Sequence, residues 1–106
     1  MPTIKFSELK CIRQHDVTGV DEPKLTADGS TVWSGTLKKG GSKTLGDDYD
    51  ESFTGSIDLK LFENNSKGDD PKQIGGTVVV DDDRVNNGQA VFKTSGTHYE
   101  LYYRVV

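Results

Sequence analysis

A chain of 106 residues, with 13 Lys and Arg against 17 Asp and Glu, carries a formal net charge of −4 and fits one domain over residues 1–106, with no room for a second core. That acidic balance excludes a basic field able to gather nucleic acid or anionic lipid by itself. No apolar run approaches the ~20 residues needed to span a bilayer.

The residues are 32% hydrophobic, and these fall in short regular runs, the signature of a thin folded core rather than of disorder. The opening Met-Pro-Thr-Ile-Lys-Phe lacks the long apolar stretch of a signal peptide, so the expected location is cytoplasmic.

Period two dominates from the start of the chain. Ile4 and Phe6 alternate, then Leu9 and Cys11 resume one residue out of phase, which predicts a strand over Thr3–Arg13 with a bulge at Ser7 or Glu8. Lys24–Ala27 and Thr31–Leu37 read as a hairpin about Asp28-Gly29-Ser30, because Asp-Gly supplies the positive φ angles of a tight turn. Lys38–Glu51 is long for a hairpin connection and contains Gly40-Gly41-Ser42, so it is read as a mobile loop or as a crossing between sheets.

Ile57, Leu59 and Leu61 alternate with Ser56, Asp58 and Lys60, giving a strand with one wet face. Ile74–Val80 and Gln89–Lys93 add two more strands, joined through the Asn86-Asn87-Gly88 turn. The chain closes on a long strand that sets Tyr99, Leu101, Tyr103 and Val105 against Glu100, Tyr102, Arg104 and Val106. No window combines helical spacing with a capping box and a glycine stop, so little or no helix is expected. The resulting fold class is all-β, an antiparallel β-sandwich of about seven to eight strands.

The chemistry-bearing residues exclude several functions. Cys11 is the single cysteine and reads as a small buried hydrophobe. His15 and His98 lack the short ligand spacing of a zinc site. No Gly-x-Ser-x-Gly elbow marks a hydrolase nucleophile. An EF-hand begun at Asp83 fails at Val85 and Thr94, and Lys38–Thr44 lacks the order of a phosphate loop. The expectation is a protein that is not an enzyme. Among the aromatics, Trp33, Tyr99 and Tyr103 read as core, and Tyr102 as a surface residue.

Most of the 17 acidic residues cluster in four connecting segments: Asp16–Glu22, Asp47–Glu51, Glu63–Asp70 and Asp81–Asp83. Adjacent like charges repel by about 1 kcal/mol at 4 Å even in bulk water, and a bound hard cation relieves that repulsion. Calcium, which takes six to eight oxygen ligands in irregular geometry, suits loops rich in Asp, Asn and Gly. Acidic turns that only keep a small β protein soluble are the plainer reading of any one cluster.

Two of these segments resemble the calcium loops of C2 domains. Asp16-Val17-Thr18-Gly19-Val20-Asp21-Glu22-Pro23-Lys24-Leu25 is similar to the first loop: Asp16 stands at the first aspartate, Asp21 at the usual serine, and Glu22 at the aspartate before proline. Ile57–Gly75 is similar to the strand and third loop of that family, with Glu63 and Asn65 at the Asp-x-Asp positions and Asp69 or Asp70 at the later aspartate, one residue being added before Ile74-Gly75.

The resemblance implies a C2-like sandwich that binds calcium through Asp16, Asp21, Glu22, Glu63, Asn65, Asp69 and Asp70 and uses the loaded end to engage a protein, a glycan or an anionic lipid. Asp47–Glu51 is the expected bystander, and Asp81–Asp83 is either a third ligand loop or a solvated turn. The alternative function is a metal-independent protein-recognition module of the inhibitor or antitoxin type.

Overall fold

The structure, a computed structural model, describes residues 2–13, 22–46, 50–63, 72–82, 87–94 and 96–106. It is all-β, and among the described residues ten strands form two antiparallel sheets packed face to face: β1 (Thr3–Arg13), β2 (Pro23–Ala27), β3 (Ser30–Ser34), β4 (Ser42–Thr44), β5 (Asp50–Ser52), β6 (Ser56–Glu63), β7 (Lys72–Gln73), β8 (Val78–Asp81), β9 (Asn87–Thr94) and β10 (Thr97–Val105). The first sheet runs β4-β1-β10-β9, with β5 also on β1. The second runs β3-β2-β6-β7, with β8 also on β6.

Alternation builds the core. On β10, Thr97, Tyr99, Leu101, Tyr103 and Val105 are buried while the residues between them are not. On β6, Ile57, Leu59 and Leu61 face inward. They meet Ile4, Phe6, Leu9 and Cys11 of β1 and Leu25 of β2 in one continuous cluster that draws on both sheets. The phase break on β1 is a bulge: Phe6 pairs with Tyr103 and Glu8 with Tyr102, leaving Ser7 as the extra residue. The Ser7 carbonyl, freed from the ladder, accepts the N–H groups of Leu45 and Gly46. Asp28 and Gly29 form the β2–β3 turn with φ of 48° and 85°, as a two-residue hairpin of this handedness requires.

The strand count differs from the expected seven to eight in two places. After β3 the chain crosses from the second sheet to the first, as one of the two readings of Lys38–Glu51 had it, and there it supplies β4 and then β5, which lie end to end along β1. The strand expected over Ile74–Val80 is shortened to β8, Val78–Asp81, and a separate two-residue strand, β7, precedes it; both lie on β6, with Phe62 opposite Gln73 and Leu59 opposite Val78. Gly75, at φ 70°, carries the chain out of the ladder between them. A methyl group there would come within 2.7 Å of the Lys93 backbone nitrogen on β9, so the excursion closes the second sheet against the edge of the first. The hairpin strand expected to reach Leu37 ends at Ser34.

Candidate functional site

β1 ends, β2 begins, β6 ends and β7 begins at the same end of the sandwich. Pro23 pairs with Glu63, and Glu63 with Lys72 on its other side. Proline opens β2 because a strand's first residue can dispense with its N–H, while its carbonyl accepts the Gly35 N–H at 3.2 Å. The chain therefore enters β2 beside the point where it leaves β6.

Of the sequence-derived ligands, Glu22 and Glu63 are described; both are half-buried, and they flank this junction. Asp16, Asp21, Asn65, Asp69 and Asp70 lie outside the described residues. Among the described residues no group of three or more His, Cys, Asp or Glu side chains is arranged to hold a metal ion.

The other acidic segments are elsewhere. Asp81 pairs with Ser56, at the opposite end of β6 from Glu63, roughly 23 Å away at the rise of an extended strand. Asp82 is occupied there: its carboxylate accepts the Gly55 N–H at 2.7 Å, and its own N–H donates to the Gly55 carbonyl. Asp83 lies outside the described residues. Asp50 lies on the edge strand β5, with its carboxylate 3.4 Å from the Lys5 ammonium.

The outward face of the first sheet carries a second constellation. Cross-strand register sets Arg13, His98 and Lys93 in one row and Lys10, Glu100 and Val91 in the next, with Glu8, Tyr102 and Gln89 beyond. The Tyr102 hydroxyl donates to Glu100 Oε1 at 2.8 Å, and His98 Nε2 lies 3.5 Å from Glu100 Oε2. That hydrogen bond, more than any other influence, raises the Tyr102 phenol above its ordinary value, because ionising it would set a phenolate against a carboxylate. A cavity of about 400 Å³ opens at the first of these rows, lined by Arg13, Lys93 and His98 together with Ile12, Thr94, Gly96 and Thr97.

Sequence reasoning considered His98 only as a zinc ligand and passed over Glu100. The available signal was the alternation 98, 100, 102 on β10. The row joining His98 to Arg13 and Lys93 depends on strand pairing and on a bulge between Cys11 and Arg13.

Fold and surface together define the class: a small two-sheet antiparallel β-sandwich with carboxylates at one end of the second sheet and bases at the corresponding end of the first. No model of a known protein family matches the sequence, and no curated protein matches it either. Among the described residues no helix is long and apolar enough to cross a membrane.

Proposed function

We propose that the protein is a calcium-binding, C2-like module in which Glu22 and Glu63, with Asp16, Asp21, Asn65, Asp69 and Asp70 of the adjoining segments, hold the metal, and in which the loaded end engages a partner. The observation that carries this reading is the pairing of Pro23 with Glu63, which gives two acidic segments a common point of departure. Carboxylates and an amide anchored that way offer the mixed oxygen set that calcium accepts in irregular loops. Calcium held among them leaves coordination positions for an anionic group on a protein, glycan or lipid.

Thermal unfolding in excess chelator and in millimolar calcium tests the reading. Calcium at a hundred times its dissociation constant adds about 2.7 kcal/mol, an upward shift of the midpoint on the order of 10 °C or more for a domain of this size. Superimposable curves would overturn calcium binding and leave the metal-independent recognition module as the reading of the same surface.

A further inference from the structure

The row of Arg13, His98 and Lys93 is produced by an irregularity. Cys11 pairs with Tyr99, so regular alternation would set Ile12 opposite His98; the register shift between Cys11 and Arg13 brings Arg13 there instead. Bulges of this kind re-aim side chains beside functional sites. Here the bulge assembles three basic residue types on adjacent strands, at the mouth of a cavity, in a chain whose net charge is −4.

The Arg13 and Lys93 side chains are exposed and form no ion pair with any described residue. His98 is half-buried, and its Nε2 is shielded from solvent without a hydrogen bond. Glu100 of the next row is engaged through Oε1 by the Tyr102 hydroxyl, and its Oε2 lies 3.5 Å from His98 Nε2, so the charges left open on this row are those of Arg13 and Lys93. Ile12 adds an apolar wall.

We propose that this cavity binds a small phosphate monoester, with the phosphate between Arg13 and Lys93 and the organic part against Ile12. A guanidinium fork and an ammonium point charge are complementary to a phosphate dianion, and Thr94 at the rim is a further donor. At about 400 Å³ the cavity exceeds the needs of an inorganic anion and lies within the range of small-molecule sites. The proposal does not depend on calcium, and its test is run in excess chelator so that the two readings fail separately.

The test is titration of the full chain with glycerol 3-phosphate, followed through the amide resonances of Gly96 and Thr97. Saturable shifts are expected. The Arg13→Gln/Lys93→Gln double variant should bind at least about tenfold more weakly, since each change removes a charge-assisted contact. The Lys43→Gln/Lys60→Gln variant loses the same charge away from the cavity and should bind like the parent. Equal loss in both double variants would reduce the effect to net charge and overturn the site, and so would acetate reproducing the shifts at equal concentration. Retention on vesicles containing phosphatidic acid, with no response to glycerol 3-phosphate, would assign the basic row to a lipid surface and overturn the small-molecule cavity.

Discussion

Pro23, the first residue of β2, is the direct cross-strand partner of Glu63, the last residue of β6. Asp81 is paired with Ser56 at the far end of β6, which separates the acidic segments into two groups. Because β6 is an extended strand of 8 residues between these two points, side chains at its opposite ends have no common ligand to share.

Substitutions divide along the same line. Asp16→Asn and Asp70→Asn should abolish the calcium-dependent rise in melting temperature, whereas Asp81→Asn should leave it intact. Asp82→Asn should lower the midpoint equally with and without calcium, because its carboxylate holds the Gly55 N–H in a turn. Differential scanning calorimetry of the four variants in chelator and in calcium checks this. A calcium response lost in Asp81→Asn but kept in Asp16→Asn would place the metal at the wrong end of the sandwich.

Asp28 is the described non-glycine residue held at positive φ, and it is tied to Asp58 twice: its N–H donates to the Asp58 carbonyl at 2.9 Å, and its Oδ1 accepts the Asp58 N–H at 2.8 Å. Asp28→Ala loses the side-chain bond that offsets holding a Cβ-bearing residue in the left-handed region, a cost of about 1–3 kcal/mol. Asp28→Asn keeps an acceptor and tolerates the conformation, so it should retain most of the stability. Urea unfolding midpoints should rank the parent and the asparagine variant together, above alanine.

Gly88 pairs with Tyr103 and lies under its ring; a methyl group on Gly88 would come within 2.6 Å of the phenolic oxygen. Tyr103 is buried at the edge of the core, so the ring has little freedom to retreat. Gly88→Ala should cost about 1–3 kcal/mol by overpacking. The Gly88→Ala/Tyr103→Leu double variant should lose less than the sum of its parts, and strict additivity in a double-mutant cycle would remove the steric explanation.

Tyr102 should ionise above the ordinary value near 10 because its hydroxyl donates to Glu100. A folded-state value raised above the unfolded one means that the associated stability is fully present below about pH 10 and is lost as pH rises through the folded value. Glu100→Gln should bring the phenol's titration back down, as read from the tyrosinate absorbance near 295 nm against the other tyrosines. An unchanged titration would place the cause elsewhere.

Much of the fold was legible in the residues themselves. The extent of β1, the bulge at its middle, the Asp28-Gly29 turn and the buried face of β10 all express local rules: alternation, a phase break, a φ preference. The late start of β8, at Val78 rather than Ile74, was not legible because Gly75 looks like an ordinary strand glycine until the Lys93 backbone is seen beside it. β4 and β5 were missed because three-residue strands carry no periodicity of their own; they exist because β1 offers them a ladder.

By itself, then, the sequence determined that this chain is an all-β sandwich and where its acidic residues cluster, since side-chain period and turn chemistry act over a few residues. Only the tertiary structure decided that Asp81 lies far from Glu63, and that Arg13, His98 and Lys93 form one row. Both follow from strand order and register, which are settled by burial of one shared core among residues distant in the chain.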